Sequence, residues 1–183
     1  MHRAARSRKA AAPPLERFIT FRVINLAQRF GRGGDLLYGG GFGLSLRQWR
    51  VLATLGRFGA VAAQEIAHGA ALDKSQVSRA VAELISARLV RQRADSADRR
   101  RIQLSLTPQG EALYRAVLPE AQARQARFAA VLSPAELKAL DAILEKLAAA
   151  ADQELAALRA QPGGDPQRLR GPKRLRRGPD RKR

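Results

Sequence analysis

The chain has 183 residues, 45% of them hydrophobic, enough for one domain of ordinary size with a substantial core. It has no cysteine, and its two histidines, His2 and His68, stand far apart, which excludes disulfides, thiol redox chemistry and any ordinary zinc site. The formal net charge is +18, and no apolar run approaches the ~20 residues that span a bilayer, so a polyanion rather than a membrane is the natural partner.

In chain order, "MHRAARSRKAAAPP" (1–14) carries four Lys/Arg and no acid. It is Arg-rich like a transit peptide but lacks an apolar stretch of signal-peptide length, and it reads as a disordered basic arm. "LERFITFRVINLAQRF" (15–30) is an amphipathic helix that "GRGG" stops, and "LLYGGGFG" reads as a glycine-rich loop. Ser45, with Gln48 three residues on, forms a capping box, and Leu44 and Trp49 form the flanking hydrophobic staple. That helix runs through "LRQWRVLATL" and stops between Gly56 and Gly59. "AAQEIAHGA" is a short helix ending near Gly69. Asp73 with Gln76 repeats the capping box, with Leu72 and Val77 as its staple.

The helix from Lys74 to about Ala87 places Val77, Val81, Leu84 and Ile85 on one face. Ser75, Ser78, Arg79 and Ala82 fall on the other. Two strands follow, about Val90–Arg93 and Ile102–Leu106. Thr107-Pro108 opens a helix to about Leu132, and Pro119 inside it predicts a kink or break. Ser133 and Glu136 form a third capping box. The last helix carries an apolar seam of Leu137, Leu140, Leu144, Leu147, Ala151, Leu155 and Leu158. The remainder, 159–183, holds ten Lys/Arg and two acids among Pro and Gly, and reads as a disordered basic tail.

Two short helices, a tight connection and a two-stranded ribbon make a winged helix-turn-helix. The fold class is mainly α with a small β-wing, joined to a helical region. The outer face of the helix at 74–87 suits a DNA major groove. Ser75 and Ser78 reach phosphates or base edges, Gln76 reaches adenine, and Arg79 reaches guanine or a phosphate. The ribbon tip "RADSADRRR" gathers Arg99, Arg100 and Arg101 beside Asp98. An extended arginine is drawn into a narrow minor groove, and Asp98 can hold Arg100 extended by a charge-assisted hydrogen bond. Glu65 and His68 fit a short helix end better than a catalytic or metal site. No nucleophile–base pair, phosphate loop or metal cluster marks an enzyme. With 5% aromatic residues there is no stacking platform for RNA.

The run from "LSLRQWRVLATL" through "DKSQVSRAVAEL" to "DRRRIQLSLTPQG" resembles the MarR family of winged helix-turn-helix regulators, over roughly Leu15 to Leu158. The resemblance implies a winged lobe at about 45–107 and dimerisation helices at about 15–30 and 108–158. It carries the wing arginine and its orienting aspartate onto Arg100 and Asp98, and the recognition positions onto Ser75, Gln76, Ser78 and Arg79. It implies a homodimer, in keeping with the seam of Leu137, Leu140, Leu144 and Leu147. It also implies a small aromatic or phenolic acid as effector, for which Arg22, Arg29, Tyr38 and Trp49 are the candidate contacts, although Trp49 is most simply core. The glycine stretch and the basic ends depart from the family pattern.

The expected function is that of a cytoplasmic, nucleoid-associated bacterial regulator. It would be a dimeric repressor that binds a pseudo-palindromic operator in double-stranded DNA, needs no cofactor, and is released by its ligand. The alternative is an architectural, nucleoid-type DNA-binding protein without a ligand switch, which the basic ends favour.

Overall fold

A computed structural model of the chain describes residues 14–94 and 102–161. The two end segments and the ribbon tip lie outside them. The chain divides into two compact units between Arg124 and Gln125.

The first unit opens with a short 3-10 turn (Leu15–Arg17) and a long helix, α1 (Ile19–Phe42). It continues with α2 (Leu46–Phe58), β1 (Val61–Ala62), α3 (Ala63–Gly69), α4 (Lys74–Ser86), β2 (Val90–Ala94) and β3 (Ile102–Leu106). The helix α5 (Pro108–Ala129) then begins. The strands form an antiparallel sheet in the order β1-β3-β2, with Val90 opposite Leu106, Ala94 opposite Ile102, and Val61 opposite Leu104. The ribbon expected from sequence is therefore a three-stranded sheet. Two-residue β1 is too short to show an alternating pattern.

The glycine-rich segment corrects the sequence reading. "GRGG" does not stop α1, and "LLYGGGF" is not a loop but the last two turns of the same helix. Tertiary contacts override the poor helix propensity of glycine. Gly34 is buried with the Leu46 side chain against it, and Tyr38 is buried in the core. The helix ends one residue after "GGGF", where Gly43 takes φ 66°. There the Leu44 N–H donates to the Tyr38 carbonyl at 3.1 Å and the Gly43 N–H to the Gly39 carbonyl at 3.2 Å. The 5→1 bond from Gly43 makes this an αL stop, which a glycine at that position makes possible. Helix α2 likewise runs through Gly56 to Phe58, and the ring of Tyr114 packs where a side chain on Gly56 would lie.

The core of this unit is built from α2 and α4 with the sheet. Val51, Leu52, Leu55, Ile66, Val77, Leu84, Leu104 and Leu106 are all buried, and Val117 of α5 joins them. All three capping boxes form as expected. Ser45 Oγ accepts from the Gln48 N–H at 3.2 Å, and Gln48 Oε1 accepts from the Ser45 N–H at 2.7 Å. The staple residues Leu44 and Trp49 are buried. Pro119 neither breaks nor ends α5, which remains one helix from Pro108 to Ala129 and stops short of Leu132. Proline removes one helical hydrogen bond, but Val117 beside it is completely buried, and that anchorage holds the helix through the gap.

The second unit contains the last turn of α5 and α6 (Pro134–Ala160). Helix α6 has no buried residue: Leu140, Ile143, Leu144, Leu155 and Leu158 are all exposed, and Leu137 and Leu147 are partly covered. Its start is capped by Ser133, whose N–H and hydroxyl both donate to Glu136 Oε2 at 2.8 Å.

Two predictions follow from this packing. A Cβ on Gly110 would run into the Leu89 carbonyl, which is backbone and cannot move aside. Gly110→Ala should lower unfolding free energy by about 2 kcal/mol or more. Gly40→Ala, with nothing near the added carbon, should raise it by up to about 1 kcal/mol. Denaturant unfolding of both variants checks the contrast. At α6, the bond from the Ser133 N–H, then that from its hydroxyl, holds the Glu136 carboxyl below its ordinary pKa of 4.5. A depressed carboxylate pKa stabilises the cap above the ordinary value and loses it as pH falls through the depressed one. An NMR titration should place the Glu136 midpoint below 4.5, with the Ser133 amide following it; a higher midpoint would remove Glu136 from the cap.

Candidate nucleic-acid interface

Helix α4 is held at its start by a reciprocal cap. Asp73 Oδ1 accepts from the Gln76 N–H at 2.7 Å, and Gln76 Oε1 accepts from the Asp73 N–H at 3.1 Å. The turn from α3 is closed by the Leu72 N–H on the Ala67 carbonyl, with Ala71 at φ 49°. Val77, Ala80, Val81 and Leu84 are buried beneath α4, while Ser75, Ser78, Arg79 and Ala82 are exposed above it. The two faces are those the sequence spacing gives. Gln76 differs from the expectation in one respect. Its oxygen already accepts the Asp73 N–H in the cap, and the bidentate adenine contact would have to share that oxygen.

Two further contacts fix the outer face. Arg79 Nη2 donates to Ser75 Oγ at 3.0 Å, one turn back. Gln48 Nε2, on α2, donates to Glu83 Oε2 at 2.9 Å. Gln48 thus uses its oxygen to cap α2 and its nitrogen to tie α2 to α4. The capping-box pattern reveals the first role, but no local pattern reveals the second, because Glu83 lies 35 residues away.

The far end of α4 turns into the wing through Arg88, which takes the left-handed conformation at φ 59°. The Thr107 hydroxyl donates to the Arg88 carbonyl at 2.7 Å and accepts from the Gly110 N–H at 3.0 Å. That hydroxyl locks the α4–β2 turn to the start of α5. Along β2, Arg91 and Arg93 are exposed, and Arg91 Nε donates to Ser105 Oγ on β3 at 3.1 Å. Exposed cations therefore line the wing root. The tip residues Asp98, Arg99, Arg100 and Arg101 lie outside the described residues.

The candidate effector contacts do not converge within one chain. Tyr38 and Trp49 meet, with ring centroids 5.5 Å apart, and Tyr114 stacks on the other side of Trp49 at 6.0 Å. Sequence reading missed Tyr114, whose partnership depends on Gly56 leaving room for its ring. Tyr38 and Trp49 are 3% and 6% exposed, so in this structure they are core rather than an open pocket wall. Arg22 and Arg29 are exposed on α1. At 1.5 Å per residue, a helix places Arg22 roughly 24 Å and Arg29 roughly 14 Å from Tyr38 along its axis. Glu65, the other sequence candidate, accepts from the Ala62 N–H at 2.8 Å and so caps α3. Among the described residues no group of three or more His, Asp or Glu side chains is placed to hold a metal ion, and no helix is long and apolar enough to cross a membrane.

The sequence model of the MarR family matches residues 42–101. No curated protein matches the chain by sequence. Among solved structures, a MarR/EmrR family transcriptional regulator from Acinetobacter sp. ADP1 is similar at 27% identity, with 77% of this chain and 99% of that one covered and a TM-score of 0.72. BpsR of Bordetella bronchiseptica, whose DNA binding is regulated by 6-hydroxynicotinic acid, is 26% identical, with 75% and 97% covered and a TM-score of 0.66. A probable transcriptional regulator from Pseudomonas aeruginosa is 29% identical, with 73% and 99% covered and a TM-score of 0.61. The capped α4, its polar outer face and β2 of the wing lie within the matched residues, and in these the chain is similar to the MarR family of winged helix-turn-helix transcriptional regulators.

Proposed function

We propose that this protein is a homodimeric, sequence-specific repressor that binds a pseudo-palindromic operator and is released by a small aromatic acid. The observation that carries the reading is the two-sided α4. Its inner face is fixed in the core, and its outer face offers Ser75, Ser78 and Arg79 with no apolar group larger than the Ala82 methyl among them. Such a helix presents donors to a major groove at little conformational cost.

Dimerisation is supported by unpartnered apolar surface on each unit separately. On α1, Ile19, Phe21, Val23, Ile24 and Leu26 are exposed; on α6, Leu140, Ile143 and Leu144 are. Surface of this kind marks an association face. Two copies would set two recognition helices about 34 Å apart, one turn of DNA. The effector is supported by the regulation of BpsR by a hydroxylated aromatic acid. In a dimer, the arginines that one chain holds far from its own cluster, Arg22 and Arg29, can be supplied by the other. The ligand need only bind better to a lobe spacing that misses adjacent grooves. The protein would act on the bacterial nucleoid, in the cytoplasm.

The distribution of charge favours a second reading, an architectural DNA-binding protein. The first 14 residues carry +4 and the last 25 carry +8 of the total of +18. The two readings separate on the ratio of operator to scrambled-DNA affinity across a salt titration, since phosphate contacts are blind to sequence and fall steeply with salt.

The central test is footprinting on the promoter of the protein's own gene, with and without a panel of aromatic acids. A protected palindrome that one acid abolishes is the expected result. On that site Arg100→Ala should cost about 1–3 kcal/mol of binding. Asp98→Ala should show part of the same loss although it removes a negative charge near DNA; tighter binding would mean that Asp98 does not orient the arginine. For assembly, sedimentation at micromolar concentration should give a dimer. Leu144→Glu with Leu147→Glu should cost several kcal/mol of association, since each would bury an unpaired charge. A well-folded native monomer would overturn the dimer.

A further inference from the structure

Arg79 has two polar neighbours one turn away on α4. Glu83 lies four residues on, at the spacing where an opposite charge ordinarily pairs across a helix turn. Ser75 lies four residues back. Arg79 bonds to Ser75, at 3.0 Å, and forms no ion pair with Glu83. The reason is visible on α2: Gln48 Nε2 holds the Glu83 carboxylate at 2.9 Å. Gln48 is itself fixed through its oxygen, which accepts from the Ser45 N–H at 2.7 Å. The Glu83 carboxylate is bonded across to α2, and the guanidinium lies toward the N-terminal end of α4. That is the end a recognition helix presents to base edges.

We propose that Ser75 is a positioning residue that sets Arg79 to read a guanine in the major groove, with Gln48 keeping Glu83 from competing; this deepens the reading of α4 as the DNA-reading helix and rests on it. A guanidinium has five donors in a rigid fork. Ser75 engages one, and the rest remain for the two acceptors on the guanine edge, O6 and N7. Arginine is rich in rotamers, and holding it before DNA arrives removes part of the ordering cost of binding. Ser75 therefore does more than the phosphate contact its residue type alone implies. Its loss should change which base is preferred, and not only how tightly DNA is held.

The test selects binding sites from random-sequence duplex DNA with the full-length wild-type protein, Ser75→Ala, Ser75→Thr and Arg79→Ala, after thermal unfolding has shown all four folded. The wild type should select a site with one fixed guanine in each half. Arg79→Ala should lose the preference at that position. Ser75→Ala should weaken it about tenfold at the same position and leave other positions unchanged, the size of a degraded bidentate contact. Ser75→Thr keeps a hydroxyl and should retain most of the preference. If Ser75→Ala weakens all sequences alike, Ser75 is a phosphate contact and the positioning role is overturned. A wild type that selects no sequence at all overturns instead the reading of α4 as a sequence reader, and this inference with it.

Discussion

One hydroxyl holds together the parts of the winged lobe that must not move relative to each other. Thr107 stands where β3 ends and α5 begins. Its Oγ1 donates to the Arg88 carbonyl and accepts the Gly110 N–H, while its own N–H donates to the Leu89 carbonyl. Three elements therefore meet at one residue: the turn that leaves α4, the strand that closes the wing, and the helix that follows. The contact is close enough that position 110 admits no side chain. Under the proposed reading, a recognition helix and a wing need a fixed separation, and this junction ties the end of α4 to the start of α5.

At the other end of α4 the constraint passes through side-chain amides. Asp73 and Gln76 satisfy each other's N–H groups, and Gln48 satisfies one cap on α2 while reaching across to Glu83. A hydrogen bond between exposed groups contributes little stability, about 1 kcal/mol at most. Its value here is directional. The aliphatic face beneath α4 supplies the binding energy of the helix to its lobe, but apolar contacts are non-directional. The polar contacts at the two ends decide the rotation and register at which the outer face is shown.

Much of this was legible in the sequence because the signals are local. Ser45-Gln48, Asp73-Gln76 and Ser133-Glu136 each announce a helix start within four residues, and each forms. The outer face of α4 follows from helix periodicity alone. What was illegible depends on contacts distant in sequence. Six glycines in residues 31–41 argue for a loop by propensity, yet they lie in α1, because Gly34 meets Leu46 and Tyr38 meets Trp49. Pro119 argues for a break, yet Val117 is anchored in the core. Strand β1 exists only because β3 is there to pair with it. The same holds for the site: Ser75 and Arg79 were legible as exposed polar residues, but the bond between them and the diversion of Glu83 needed the third dimension.

Under the proposed function, the charge of the chain and its reading surface belong to different tasks. Most of the formal excess lies in the two end segments, and Arg79 and Lys74 are the only cations on α4. Arginines and lysines in the end segments would then add affinity for any duplex, an attraction that weakens linearly in log salt. Discrimination among sequences has to come from few contacts, each worth about 1–3 kcal/mol against a wrong base. A reader with few contacts cannot average over poorly aimed side chains, so under the proposed reading a misdirected Arg79 would remove a large share of the selectivity. This is the physical reason for capped, cross-braced architecture around α4. General attraction can reside in segments of any conformation, but specificity requires that a handful of donors arrive already pointed at their acceptors.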